Sequence, residues 1–293
     1  MIVVKLMAGL GNQMFQYATG RQVAHRLGTG LRLDLSLYKN MAEIDTPRHY
    51  DLDCYRISSQ VASRVDLSRM LPTDFQATLA YRIKRRLGFD KHLRPLGEPN
   101  KAFYDVVLRA RDNTYLVGWW QNEKYFADIR NILLIEFEPK KISTYSQSML
   151  KLITGSNAVS IHVRRGDYVT NKYAKNEHGL VPLSYYSSAA NHIIKRAASP
   201  HFFVFSDDMD WCKKNLKLGS NIDFVESKGR HDCEDIWLMQ HCQHNIIANS
   251  SFSWWGGWLN ENPGKLVIAP KSWFANKEAD KETEIVPEAW MRL

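Results

Sequence analysis

The sequence predicts an α/β chain folded as two Rossmann-like, doubly wound domains that face each other across a cleft. Three observations predict it. Apolar runs of strand length recur, and each ends abruptly in a polar or glycine-rich cluster. The segments that follow often carry helix-like periodicity, so strands alternate with helices and the sheets are mostly parallel. The last three strands start roughly 40 residues apart, a natural length for strand–helix–strand units. The first strand stands far upstream and belongs to a sheet of its own.

Taken in order, "IVVKLM" (residues 2–7) is the first strand, "AGLGNQ" its terminal cluster, and residues 12–27 the first helix. Residues 40–115 are less regular and assign no clear elements. Polarity and charge rise over residues 144–157, which places the domain boundary there: 1–155 for the N-terminal domain and 156–293 for the C-terminal one. "AVSIHV" then runs into "RRGD", with a helix expected over 185–198. "HFFVF" runs into "SDD", and "NIIAN" into "SSFSWWGG". In parallel sheets ligands bind outside the carboxyl ends of the strands, where all four clusters fall.

Composition narrows the function. The chain has 293 residues, 44% of them hydrophobic and 24% charged, which is ordinary globular composition. Nine tryptophans suit sugar or aromatic ligands as well as core packing. No apolar run approaches ~20 residues, so no transmembrane helix is expected. The start "MIVVKLMAGLGNQ" turns polar too soon for a signal peptide and reads as a strand. The cysteines Cys54, Cys212, Cys233 and Cys242 form no CxxC pair and read as reduced thiols of a cytosolic protein. "HDCEDIWLMQHCQH" lacks paired-ligand spacing, so zinc is not expected. The net charge of +8 points to anionic partners. Part of it sits in residues 81–94, which read either as a solvated helix face or as a segment lying on an anionic membrane. No helix-turn-helix, RNP or zinc-finger signature supports nucleic acid.

The clusters carry the chemistry. Arg164 and Arg165, adjacent past a strand end, suit a phosphate or diphosphate, because guanidinium forks match its oxygens. One of the two is expected to pair instead with Asp167 or another carboxylate, leaving one for ligand. Ser250 and Ser251 read as the N-cap region of a Trp-rich helix, whose backbone N–H groups favour an anion. Trp254, Trp255 and Trp258 within that helix read as core. Asp207 and Asp208 of "VFSDD" fit either a metal pair or acceptors for a nucleobase or ribose.

"GLGNQMFQYA", "HVRRGDYV", "VFSDD" and "IIANSSFSWWGGWL", in that order and at these distances, closely resemble bacterial α-1,2-fucosyltransferases of glycosyltransferase family 11. The resemblance covers essentially the whole chain, "YLVGWWQNEKYF" (residues 115–126) included. It implies a two-domain GT-B glycosyltransferase that uses GDP-fucose, inverts at the anomeric carbon and needs no metal or other cofactor. The expected reaction moves L-fucose to the 2-hydroxyl of a terminal galactose during surface-polysaccharide synthesis. A non-catalytic nucleotide- or carbohydrate-binding protein on the same scaffold is the alternative. A glycosidase is not expected, since no pair of flanking carboxylates stands out.

Carried over position by position, Arg165 matches the arginine that neutralises the leaving diphosphate, with His162 and Arg164 in supporting positions. Ser206, Asp207 and Asp208 fall on the donor side, an aspartate facing guanine or ribose. Ser250, Ser251 and Phe252 match the turn that holds phosphate. Asn12 matches a glycine-rich turn approaching the sugar-phosphate from the opposite domain. Asp167, Glu177 and His178 are candidates for the general base, Asp167 first, although an arginine salt bridge suits it better. On the acceptor side the expectation names Trp119, Trp120, Gln121, Tyr125 and His178, the indoles equally suited to core packing. The expected location is the cytoplasm, with peripheral contact at the inner membrane.

Overall fold

The computed structural model describes residues 1–38, 48–70, 95–219, 221–227 and 229–293. The basic segment 81–94 lies outside the described residues. The chain divides into two compact units, Met1–Asp53 with Ile57–Phe137, and Cys54–Arg56 with Glu138–Leu293.

The first unit holds β1 (Ile2–Lys5), α1 (Leu10–Leu27), β2 (Leu31–Asp34), β3 (Gln60–Val61), α2 (Arg64–Met70), β4 (Leu96–Gly97), β5 (Thr114–Val117) and α3 (Arg130–Glu136). Its parallel sheet runs β3-β2-β1-β5-β4. Ile2, Val3 and Val4 are fully enclosed, as β-branched residues of a central parallel strand should be. Among the described residues of the less regular stretch, β3 and β4 are two-residue edge strands, too short to show a period, and both residues of β3 are exposed.

The second unit runs through α4 (Thr144–Thr154), β6 (Ala158–Val163), α5 (Gly166–Thr170), α6 (Lys172–His178), α7 (Leu183–Ile194) and β7 (His201–Ser206). It continues with α8 (Met209–Asn215), β8 (Ile222–Phe224), α9 (Asp232–Gln240), β9 (His244–Ile246) and α10 (Ser251–Leu259). β10 (Val267–Ala269), α11 (Lys277–Glu282) and β11 (Met291–Arg292) complete it. The sheet, all parallel, runs β11-β10-β9-β6-β7-β8. Val159, Ile161, Phe202, Val204, Ile246 and Ile268 pack under Tyr186, Ala189 and Ile193 of α7. Strand order reverses between β6 and β9, the switch point at which doubly wound sheets take ligands.

The boundary lies after Phe137, not after residue 155. The polar rise at 144–157 is instead the wet face of α4, which buries Ser146, Met149 and Ile153. Ser143, its N-cap, hydrogen-bonds Glu234 of α9 from both its N–H (2.9 Å) and its hydroxyl (2.6 Å). All four cysteines are free thiols. Among the described residues no group of three or more His, Cys, Asp or Glu comes together to hold a metal ion, and no helix is long and apolar enough to cross a membrane.

Candidate active site

Three chain segments leave the second sheet beside its switch point. Arg164 and Arg165 follow β6, Asp207 and Asp208 follow the neighbouring β7, and Asn249 and Ser250 follow β9 on the other side. The two arginines, indistinguishable in sequence, are held differently. Arg164 is bound at both terminal nitrogens: Nη2 donates to Asp167 Oδ1 at 2.7 Å and Nη1 lies 2.9 Å from Asp207 Oδ2. Burial works against its charge, but the carboxylates of Asp207 and Asp167 outweigh burial and hold its pKa above the ordinary value. Arg165 is tethered by its inner nitrogen, Nε donating to Asp208 Oδ2 at 3.0 Å. Its guanidinium carbon lies over the Trp211 ring, 4.0 Å from the centroid. No described residue accepts a hydrogen bond from its Nη1 or Nη2. One arginine has both terminal nitrogens on carboxylates, and the other is tied to a carboxylate only through its inner nitrogen.

One sequence expectation changes here. Both arginines are ion-paired, not one. Asp207 has both oxygens engaged, Oδ1 accepting the Arg165 backbone N–H (2.9 Å) while Oδ2 meets Arg164. Asp208 divides its oxygens between Arg165 and the α8 N-cap, where Oδ1 accepts from Trp211 N–H (3.2 Å), and its own N–H donates to Ser206 Oγ. The carboxylates serve the arginines. Gly166 is required by this closeness, since a Cβ there would stand 2.4 Å from Asp207 Oδ2.

His162 is 4% exposed, its ring tilted against Phe252 at 5.4 Å. Burial pushes its pKa down to about 4, Asp207 opposing and Arg164 assisting, so the imidazole is neutral. Its Nδ1 has no partner among the described residues. Asn249 Nδ2 donates to the carbonyls of His178 (2.8 Å) and Trp273 (3.2 Å), and its Oδ1 is buried with no partner among the described residues. Ser250 caps α10, its Oγ accepting from Phe252 N–H (3.3 Å). No acidic residue lies in the first turn of that helix, so its positive end is uncompensated from within. Trp254, Trp255 and Trp258 are buried core residues, as expected.

Among the base candidates, Asp167 is an ion-pair partner of Arg164. His178 stacks on Tyr168 (4.9 Å, 6°) and lies against Phe274. Glu177 ties its segment down through its carbonyl, which accepts from Ala275 N–H.

In the first unit the loop after β1 is braced by glutamines. Gln13 donates to the carbonyls of Ala8 (3.0 Å) and His49 (2.7 Å) and accepts from Asp51 N–H, while Gln16 accepts from Met7 N–H. Asn12 in the first turn of α1 has a different partner: its Oδ1 accepts from Gln121 Nε2 at 2.6 Å. Past β5, Trp119 is 45% exposed and Trp120 fully buried. Tyr125, expected on the acceptor side, is core. Its turn (Glu123–Tyr125) rolls the ring inward, edge-on to Trp120 at 5.5 Å, and its hydroxyl accepts from Tyr104 N–H. Sequence reasoning missed Trp211 and Glu98. Trp211 sits three residues past Asp208 on one helical turn, a usable signal, whereas nothing near Glu98 in sequence marks it.

A family model described as "Glycosyl transferase family 11" matches residues 1–293. An Escherichia coli protein named alpha-1,2-colitosyltransferase is 33% identical, over 100% of this chain and 98% of its own. An Escherichia coli O-antigen biosynthesis glycosyltransferase, WbnK, is 29% identical over 98% and 99%. The Mus musculus galactoside 2-alpha-L-fucosyltransferase Sec1 is 24% identical over 88% of this chain and 64% of its own. The crystal structure of POFUT1 in complex with GDP-fucose superposes with TM-score 0.50 over 92% of this chain and 97% of that one, at 13% identity. The last likeness speaks to fold, and the fold is α/β of the GT-B type.

Proposed function

We propose that this chain, which belongs to glycosyl transferase family 11, transfers L-fucose from GDP-fucose to the 2-hydroxyl of a terminal galactose, with inversion, in the synthesis of a surface polysaccharide. The observation that carries the reading is the unequal treatment of the two arginines. Arg164 is consumed by Asp167 and Asp207, whereas Arg165 is held by Asp208 through Nε and by the Trp211 ring, its outer nitrogens left for ligand. An oriented guanidinium edge suits two oxygens of a diphosphate.

In the proposed step the acceptor oxygen forms a bond to the anomeric carbon while the bond to the diphosphate oxygen breaks. GDP leaves with the electron pair, and the acceptor proton passes to a base or to solvent. Charge grows on the departing diphosphate, and Arg165 with the start of α10 at Ser250–Ser251 stabilises it there. His162, neutral and buried against Phe252, backs the donor side from within. In the first unit, Asn12 serves the transferred sugar, and Trp119 and Gln121 serve the galactose. We propose that no metal takes part, because the paired aspartates are engaged with arginines.

The 33% relative favours a second reading, a colitosyl donor with the same α-1,2 linkage. Incubation with GDP-fucose and a panel of galactosides, with and without EDTA, tests the primary one. The expected product carries fucose on O2 in the anomeric configuration opposite to the donor's, at equal rate with chelator. Binding without turnover on any galactoside would favour the non-catalytic alternative. Transfer from a colitosyl donor alone would select the second reading. Collapse on chelation with recovery in Mg²⁺ or Mn²⁺ would overturn metal independence.

A further inference from the structure

The chain past β5 adopts a conformation that needs explaining. Trp120 has φ 55°, a left-handed backbone that a bulky residue seldom takes and that costs on the order of 1–3 kcal/mol. Such a residue persists only where its surroundings over-determine it, and here they do. Its indole is enclosed, edge-on to Tyr125, and its carbonyl accepts from Asn122 N–H at 2.9 Å. The main restraint comes from the neighbouring edge strand. Glu98, immediately past β4, accepts two consecutive backbone N–H bonds on one oxygen, from Trp119 (2.8 Å) and Trp120 (3.0 Å). Gly118 permits the approach, since a Cβ there would lie 2.8 Å from Glu98 Cβ and 2.7 Å from the Trp120 ring.

The turn has two consequences. It leaves Trp119 exposed while burying its neighbour, and it delivers Gln121 to Asn12. Gln121 donates to Asn12 Oδ1, which fixes the Asn12 amide against the turn. We infer that Glu98 is a positioning residue for acceptor recognition: its carboxylate clips the 118–121 turn so that Trp119 offers an aromatic face and Gln121 is held in place beside it. The inference rests on the acceptor reading of Trp119 and Gln121. Burial raises the Glu98 pKa and the Trp120 and Trp119 N–H bonds oppose that rise, so its binding to the turn is what repays keeping a charge there.

That detail makes the test specific. Both N–H bonds fall on Oε2, and Oε1 makes only a 3.4 Å contact with the Tyr125 hydroxyl. Glu98→Gln therefore keeps a carbonyl oxygen for the turn, whereas Glu98→Ala removes it. On the best galactoside, Glu98→Ala should raise the acceptor KM about tenfold with kcat and GDP affinity within about threefold, and Glu98→Gln should restore the KM to within about threefold. An unchanged acceptor KM in Glu98→Ala would overturn the inference. So would parallel losses of melting temperature, GDP affinity and kcat that Gln does not rescue, for those mark a purely structural carboxylate. Absence of transfer by the wild-type protein would instead strike the proposed function, and the two failures are thereby distinguishable.

Discussion

The carboxyl ends of β6 and β5 each flank the point at which strand order reverses in their own sheet. They are built from opposite materials. At β6, charges are set against charges: two arginines, three aspartates and a glycine made obligatory by an aspartate oxygen. At β5, neutral groups dominate: two indoles, two amides and a strained backbone, with one carboxylate to hold them. The difference suits the proposed division of labour. A departing diphosphate is stabilised by fixed positive charge, while a neutral sugar is recognised by flat faces and hydrogen bonds.

The sharpest break in this comparison is to exchange roles within β6's cluster. Arg165→Lys keeps the charge and loses the planar fork, and should lower kcat by on the order of 10²–10³ with a smaller change in GDP affinity. Arg164→Met strands Asp167 and Asp207 and should cost about 3 kcal/mol of stability, read by thermal melts. A folded Arg164→Met with normal melting, or a normal kcat in Arg165→Lys, would invert the assignment.

A smaller effect sharpens the electrostatic side. The His162 pKa is depressed to about 4 in the folded chain, below its unfolded value near 6.5. The unfolded state therefore binds more protons between these values, and the stability is complete above 6.5 and lost as pH falls toward 4. Between pH 7 and pH 5 the loss should be about 2 kcal/mol more for wild type than for His162→Phe, whose ring still meets Phe252. Equal pH dependence of the two would mean that His162 charges freely. No counterpart is expected at the β5 end, where no histidine takes part.

The same contrast explains what the sequence disclosed. The β6 cluster is legible because its partners are local or follow the neighbouring strand: Asp167 is three residues from Arg164, and Asp207 and Asp208 come directly after β7. Parallel α/β logic brings strand ends together without further information. What stayed hidden was the division of hydrogen bonds, so a single ion-paired arginine was expected where there are two. The β5 end is less legible. Glu98 lies 21 residues before Trp119, just past a two-residue strand with no period, and no pattern reports a left-handed tryptophan. Two adjacent tryptophans announced aromatic surface, yet only the turn decides which one shows it. Tyr125 was misread for the same reason, because its inward roll comes from a 3₁₀ turn that propensity does not specify. The domain boundary failed differently: an amphipathic helix looked like a linker because its wet face outnumbers its dry one.

The smallest effect tests that turn, through the adjacent tryptophans. Trp119 is 45% exposed and Trp120 is 0% exposed, though they are consecutive in the chain. An exposed indole contributes to the folded state only weakly, so Trp119→Ala should leave the melting temperature within a few degrees. Stacking of an aromatic face is worth about 0.5–1.5 kcal/mol beyond area burial, which sets the expected rise in acceptor KM at roughly two- to tenfold, with donor binding unchanged. Trp120→Ala opens a cavity beside Tyr125 and removes the bulk that fills the core, and should cost about 3–5 kcal/mol. Its left-handed backbone would favour glycine, so Trp120→Gly should be no worse than Trp120→Ala despite losing one more carbon. Melts and acceptor kinetics on these three variants decide the matter. If Trp119→Ala matched Trp120→Ala in destabilisation, the turn would be packing alone. If it left the acceptor KM untouched on every galactoside, the neutral face of β5 would have to serve something other than the sugar.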